Sequence, residues 1–248
     1  MNPLQLERPR DITALFRDGL GVYVRNLPVF LAVGAGIVIP VQLIVSGVGL
    51  EQLTSGYDPS PSAAQTAIPT VVSFFVVAPL VTATCIHILR ALETAGTPKA
   101  RAALLAGFEA FTPLFLAILL QVAGIVIGLA ALIVPGVYLT IRWFFVPQTV
   151  VVEDKRGRSA LARSGQLVQG FWWRACGIVI MANLAAALPG LVLTAPFAGI
   201  ADAADKQVFA LIGSMAAEAV TAPIVAILST LLYFDLRARR AAPAGPGL

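Results

Sequence analysis

The sequence predicts an all-α integral membrane protein: a polytopic bundle of about six spanning helices with about three cytoplasmic amphipathic helices. The chain is 58% hydrophobic and 12% charged, with a mean hydropathy of +0.87. An ordinary globular protein carries about 25% charged residues. The apolar residues also occur in runs of roughly 17 to 25, long enough to cross a hydrocarbon core of about 30 Å as helices. Both observations place the chain in a membrane.

Six apolar runs are separated by turns or charged segments, and we predict one span for each. They cover residues 27–48, 68–90, 113–134, 137–152, 174–196 and 207–234. Pro135 and Gly136 are predicted to form the turn between the third and fourth spans. We treat residues 1–248 as a single integral membrane domain. Its parts are a lead-in helix at 10–26, two spans within 27–92, a lead-in helix at 99–112, two spans within 113–152, a lead-in helix at 158–173, two spans within 174–237 and a flexible tail at 238–248.

The positive charges predict the orientation. Of the 17 Lys and Arg residues, all except Arg142 and Lys206 fall in segments that six spans place on one side of the membrane. The loop EQLTSGYDPSPSAAQT, between the first two spans, has no basic residue. Cytoplasmic loops carry the excess of Lys and Arg. We therefore expect both termini in the cytoplasm of a bacterium, with the chain in its inner membrane. The same asymmetry explains the pI of about 9.4 without nucleic acid.

A short amphipathic stretch precedes each odd-numbered span. In the first, apolar residues follow one helical stripe: Ile12, Leu15, Phe16, Gly19, Leu20 and Tyr23. The second has Leu104, Phe108 and Phe111, and the third has Leu161, Gly165, Val168 and Trp172. Helices of this kind settle among lipid headgroups, and packing beneath the bundle is the open alternative. The predicted headgroup contacts are Arg17, Arg25, Arg101, Arg156, Arg158, Arg163, Trp172 and Trp173.

The same stretches suggest a threefold internal repeat. The lead-ins share Ala-Leu followed by Gly: Ala14-Leu15 and Gly19, Ala103-Leu104 and Gly107, Ala160-Leu161 and Gly165. Each even-numbered span carries a proline in an apolar setting, at Pro79, Pro147 and Pro223. The pattern predicts three units, each with an interfacial helix, a spanning helix, an outer turn and a proline-bearing spanning helix.

Two ionisable residues fall at membrane depth. Arg142 lies early in the fourth span and Glu218 about halfway along the sixth. Because a lone charge in hydrocarbon is costly, we expect them to form an ion pair inside the bundle. In a functional version of this hypothesis, Glu218 couples to a proton or substrate. In the structural alternative the pair only stabilises the bundle, or Arg142 reaches up to the headgroups.

The sequence offers little for catalysis. His87 is the single histidine, and Cys85 and Cys176 belong to no motif. The chain contains no phosphate-binding loop, no G-x-S-x-G and no C-x-x-C. We therefore predict no catalytic residue, no cofactor and no metal site.

Two stretches carry a family resemblance. They are FFVPQTVVVEDKRGRSALARSGQLVQGFWWR and TAPIVAILSTLLYFDLRARR. The first stretch contains the motifs Val-Val-Glu, Ala-Leu-x-Arg-Ser and Gly-Phe-Trp in that order. The second contains Leu-Leu-Tyr-x-Asp-Leu-Arg near its end. These motifs resemble those of bacterial six-helix membrane proteins, namely the membrane domain of some glycerophosphodiester phosphodiesterases and stand-alone proteins of the YciC type. The resemblance implies a membrane domain without the enzyme, because catalysis in the fused proteins belongs to a separate soluble barrel that this sequence has no room for.

These observations favour a non-enzymatic membrane scaffold or lipid-interacting domain. Its expected partners are membrane lipids, with a cytoplasmic or membrane protein partner as a further alternative. A transporter or permease component, with Arg142 and Glu218 lining a central path, is the second hypothesis. A membrane enzyme acting on lipid is the least favoured, because no acid–base set is clustered in the sequence.

Overall fold

The predicted all-α class is confirmed. A computed structural model describes residues 5–46, 56–58, 60, 62–94 and 96–241, and these ranges contain helices and no β-strand. The α-helices are α1 (Ile12–Arg25), α2 (Leu27–Val45), α3 (Ala63–Val72), α4 (Ala78–Glu93), α5 (Ala100–Glu109), α6 (Phe111–Ala131), α7 (Ile133–Arg142), α8 (Val146–Glu153), α9 (Arg158–Val168), α10 (Trp172–Ala204) and α11 (Gln207–Ala241). A π-helix at Ser73–Val77 joins α3 to α4.

Five helical segments of the described chain are long and apolar enough to cross a membrane. They are Leu27–Val45, Ala67–Glu93, Phe111–Ala131, Trp172–Ala204 and Gln207–Ala241. The last of these continues through residues 238–241, so the start of the predicted tail is helical, and 242–248 lie outside the described residues. Much of the predicted loop after the first span also lies outside them.

The fourth apolar run is not one continuous helix. It forms α7 and α8, separated at Trp143–Phe145. Pro147 explains the break, because its ring clashes with the carbonyl four residues earlier and it has no N–H to donate. Ser164 satisfies the broken backbone: its Oγ accepts a hydrogen bond from the Phe145 N–H (3.2 Å) and donates one to the Arg142 carbonyl (2.9 Å).

The turn predicted at Pro135 and Gly136 is also displaced. Both residues lie in the first turn of α7, and the chain reverses at Leu132, which has extended backbone angles (φ −165°, ψ 149°). A proline is tolerated there because N–H groups in the first helical turn have no intrahelical acceptor.

The long helices form three antiparallel hairpins. The first hairpin pairs α2 with the α3–α4 segment, the second pairs α6 with α7 and α8, and the third pairs α10 with α11. Each short helix packs along the second arm of a hairpin: α5 on α4, α9 on α8, and α1 on α11. The first described helix is therefore packed on the last described one.

Each short helix has a glycine at a close contact with a neighbouring helix: α11 for α1, α4 for α5, and α7 for α9. At each one, an added Cβ would lie within 3.0 Å of a neighbouring side chain: Gly19 against Leu228, Gly107 against Thr84, and Gly165 against Arg142. These are the three glycines of the shared Ala-Leu and Gly pattern. The short helices thus use their glycine-bearing faces for contact with protein.

Helix α1 lies along α11 rather than across its end. The Arg10 N–H donates to Asp235, and the Tyr23 hydroxyl donates to the carbonyl of Val220 at 2.9 Å. Of the predicted apolar stripe, Leu15, Gly19 and Tyr23 are buried, whereas Ile12 and Leu20 are exposed. The stripe thus has a protein-facing part and an outward-facing part.

The segments that were predicted to be cytoplasmic gather at one end of the bundle. The Leu6 N–H donates to Glu93, Arg90 donates to the carbonyl of Val152, and Arg240 donates to the carbonyl of Leu167. We call this region the charged end. A contact away from it, between the Tyr57 N–H and Asp205, joins two of the predicted outer loops.

Candidate functional site

Asp235 is the centre of the charged end. Its side chain is fully buried and accepts hydrogen bonds from the Arg10 N–H (2.7 Å), from Arg174 Nε (3.2 Å) and from Arg239 Nε (3.0 and 3.1 Å to its two oxygens). The guanidinium groups of Arg174 and Arg239 also donate to the Arg10 carbonyl, at 2.5 and 2.8 Å. We call these four residues the Asp235 cluster. It joins the N-terminal segment, α10 and α11.

The side chain of Arg10 is buried as well. Its guanidinium donates to Asp18 at 3.1 Å and to the carbonyls of Gln5 and Leu6. Burial alone would raise the pKa of Asp18, but hydrogen bonds from Arg8 and Arg10 outweigh it and hold the pKa below its usual value. The N-terminal segment is therefore held in place by charge-assisted hydrogen bonds.

A second ion cluster joins α8, α9 and α11. Glu153 accepts a hydrogen bond from Arg163 Nε at 2.7 Å and one from the Tyr233 hydroxyl at 2.6 Å. Burial would raise the pKa of Glu153, but these two donors lower it overall. The ring of Tyr233 is fully buried, with its centroid 6.3 Å from that of Phe145.

We expect Glu153 to make stability depend on acidity. Because its pKa is depressed in the folded protein, its contribution is present above the ordinary Glu pKa of about 4.3 and is lost as the pH falls through the lower folded value. The melting temperature of the solubilised protein should therefore fall between about pH 5 and pH 3. Glu153→Gln should melt lower at neutral pH and show a shallower fall. An equal fall of the melting temperature with pH in both proteins would contradict this role. Some fall should remain in the variant, because the pKa of Asp18 is also depressed.

A cavity of about 390 Å³ opens beside the Glu153–Arg163 ion pair. It is lined by Glu153, Lys155, Ser159, Ala162, Arg163 and Gln166. Four of these residues lie on one face of α9, at helical spacings of three and four. The cavity offers an ammonium, a hydroxyl and an amide together, which suits a ligand carrying a phosphate or carboxylate group.

Arg142 belongs to an aromatic group near this region. Its guanidinium carbon lies 5.8 Å from the centre of the Tyr138 ring, which stacks on Trp172 at 6.0 Å. The indole N–H of Trp172 donates to the Tyr138 carbonyl at 3.3 Å, and Trp173 packs edge-on against Trp172. Trp173 is 82% exposed. Indoles and guanidinium groups together are typical of a membrane–water interface.

The structure gives Arg142 and Glu218 different partners. Glu218 accepts hydrogen bonds from Gln42 and Ser73, whereas Arg142 lies among Tyr138, Ser164 and Trp172. The two residues form no ion pair among the described side chains. The sequence-based prediction treated the fourth span as one straight helix and therefore placed Arg142 near the outer boundary. In the structure the helix breaks after Arg142, and this residue lies beside residues of the 158–173 lead-in helix.

The predicted headgroup residues divide into two groups. Arg17, Arg25, Arg101 and Arg158 are exposed, and within the described ranges they have no ion-pair partner. Arg156 is exposed but pairs with Asp154 at 3.4 Å, and Arg163 pairs with Glu153. Trp173 is free to contact lipid, and Trp172 is half-buried against Tyr138.

The structure assigns roles that the sequence reasoning left open. Glu153, Ser164, Tyr233 and Asp235 had no predicted role; they belong to the two stretches that carry the family resemblance and form the contacts described above. Arg163, a predicted headgroup contact, pairs with Glu153. Arg10, and Arg174 at the end of the first stretch, were counted only as positive charges. The sequence did contain one signal for such a cluster: an acidic residue that follows a long apolar run and has arginines near it in the sequence.

Comparisons with known proteins add no relative. No family model, curated protein or solved structure matches this chain. The resemblance to the membrane domain of glycerophosphodiester phosphodiesterases and to YciC-type proteins therefore stays a prediction from residues 144–174 and 221–240.

Proposed function

We propose that this chain is a non-enzymatic scaffold of the bacterial cytoplasmic membrane that binds anionic lipid headgroups through its exposed arginines. In this proposal it has six spans, the fourth of them broken, and both termini are cytoplasmic. The three hairpins form a threefold repeat, each with its own short amphipathic helix. The shared order of helices and the three matching glycine contacts support the repeat.

The observation that carries the lipid-binding proposal is the placement of free arginines beside exposed apolar side chains. Arg25 lies between Val24, which is 66% exposed, and Leu27. Arg101 lies one helical turn before Leu105, which is 54% exposed. A side-chain pair of this kind puts an apolar group into the acyl region and a guanidinium at the phosphate level.

The strength of such contacts can be estimated. Each Lys or Arg near an anionic leaflet adds about 1 kcal/mol of attraction. Four unpaired arginines would thus contribute about 4 kcal/mol in total. About 1.4 kcal/mol of this already corresponds to a tenfold change in affinity. An arginine that already has an ion-pair partner, such as Arg163, would contribute less.

The test is lipid retention by the purified protein. We expect a variant with Gln at Arg17, Arg25, Arg101 and Arg158 to retain phosphatidylglycerol at least about tenfold more weakly than wild type in native mass spectrometry. Lys206→Gln is the matched control, because Lys206 lies in the predicted loop between spans five and six. Phosphatidylcholine should be retained equally by all three proteins. Unchanged phosphatidylglycerol retention in the fourfold variant would rule out headgroup binding by these arginines.

A further inference from the structure

A polar cluster lies within the apolar part of the bundle, away from the charged end. Glu218 Oε2 accepts a hydrogen bond from Gln42 Nε2 at 2.6 Å, and Glu218 Oε1 accepts one from the Ser73 hydroxyl. The three residues come from three different membrane-spanning segments: α2, the π-helix that precedes α4, and α11. We call this group the Glu218 cluster.

Among the described residues, no cation pairs with the carboxylate of Glu218. All 17 Lys and Arg residues lie within the described ranges, and none of them pairs with Glu218. A charged carboxylate in an apolar region is costly unless it is paired, and two neutral donors compensate it only in part. The cluster is therefore short of one positive charge.

The backbone at Ser73 is irregular. The Ala78 N–H bonds the carbonyl of Ser73, five residues back, which is the π-helical pattern. Pro79 follows and has no N–H, so this turn has fewer donors than a regular α-helix. Single π-helical turns of this kind are rare and frequently lie at functional sites.

We propose that Glu218, Gln42 and Ser73 are ligands of a monovalent metal cation, namely sodium. A single carboxylate supplies one negative charge, which matches a monovalent ion, whereas protein sites for calcium combine six to eight oxygen ligands and usually several carboxylates. When the ion binds, the Gln42 side-chain amide turns by half a rotation, so that Oε1 takes the place of Nε2. The Ser73 hydroxyl turns its proton away from the ion. The ion then meets oxygen from all three side chains.

The cluster is partly open. Gln42 lies three residues before the end of α2 at Val45, and Glu218 and Ser73 are half-buried rather than enclosed. This inference is independent of lipid binding, because it uses none of the arginines assigned to that role.

The experiment measures thermal unfolding in detergent at constant ionic strength, with sodium chloride replaced stepwise by choline chloride. Sodium should raise the melting temperature of the wild type in a saturable manner. Glu218→Gln should weaken the apparent sodium affinity at least tenfold, and Ser73→Ala should weaken it by less. Asp202→Asn removes an exposed carboxylate elsewhere, near the end of α10, and should respond like wild type.

Two results would overturn the proposal. One is an equal melting temperature of the wild type in sodium and choline, and the other is an unchanged sodium response in Glu218→Gln. A stabilisation that depends on pH, is lost in Glu218→Gln and ignores sodium would assign a proton to the site instead. If Glu218→Gln does not fold, binding of radioactive sodium to wild type, Ser73→Ala and Gln42→Leu decides the question.

Discussion

Replacing Asp235 with Ala is expected to lower the free energy of unfolding by about 3–5 kcal/mol. The side chain of Asp235 is fully buried, and three donors converge on it, from Arg10, Arg174 and Arg239. Without the carboxylate, two guanidinium groups remain close together with only the Arg10 carbonyl between them. Removing the buried partner of an ion pair costs more than the pair itself contributes, because the guanidinium groups of Arg174 and Arg239, which are 21% and 27% exposed, stay largely withdrawn from solvent.

The measurement is denaturant unfolding of the solubilised protein, followed by the fluorescence of its three tryptophans. Asp154→Ala is the matched control: this carboxylate is 84% exposed and pairs with Arg156 at 3.4 Å. An exposed pair of this kind contributes about 0–1 kcal/mol. Asp235→Asn should fall between the two, since it keeps an acceptor without the charge. If Asp235→Ala were as stable as Asp154→Ala, the cluster would not hold the charged end together.

The second large effect is expected at Gly34, where α2 crosses α11. An added Cβ would overlap the carbonyl oxygen of Ala219 and lie 2.9 Å from its carbon. That carbonyl lacks its usual helical donor, because residue 223 is a proline. The neighbour is backbone and cannot rotate away, so Gly34→Ala must move the helices apart. We expect a loss of about 1–3 kcal/mol or more, despite the helix preference of Ala.

Gly177→Ala separates this packing effect from helix propensity. Gly177 lies in α10, and no heavy atom lies within 4 Å of its added Cβ. The change should be neutral or stabilise the protein by up to about 1 kcal/mol. Unfolding of both variants under the same conditions gives the comparison. A Gly34→Ala protein as stable as Gly177→Ala would mean that α2 and α11 do not meet at this point.

Hydropathy predicted the five helical segments that are long and apolar enough to cross a membrane, because the length of an apolar run is a local property. The sequence showed only one of the two causes of the break in the fourth run. Pro147 can be read from the sequence, but the Ser164 hydroxyl, which forms hydrogen bonds with the backbone at the break, comes from another helix. The same break accounts for Arg142. Its depth was counted along an uninterrupted span, and its actual neighbours, Tyr138 and Trp172, are determined by tertiary packing.

The lead-in helices illustrate the limit of amphipathic patterns. A helix, α1, does cover the stripe from Ile12 to Tyr23, but an apolar face can contact lipid or protein equally well. The protein provides α11 as the partner for Leu15 and Tyr23, and leaves Ile12 outward. Likewise, Asp235 lies in the stretch Leu-Leu-Tyr-x-Asp-Leu-Arg that the sequence analysis singled out, but its partners Arg10 and Arg174 lie 225 and 61 residues away in the chain. No local pattern could have identified them.

The packing of α1 on α11 has a consequence for biosynthesis. The ribosome makes α1 before α11, so α1 lacks its main packing partner until α11 has been synthesised. Until then, the buried side chains of Leu15 and Arg10 are open to chaperones and proteases. The Asp235 cluster forms only after α11 has been made. A chain that stops before α11 would keep an uncovered N-terminal helix, and degradation could recognise it by that helix alone.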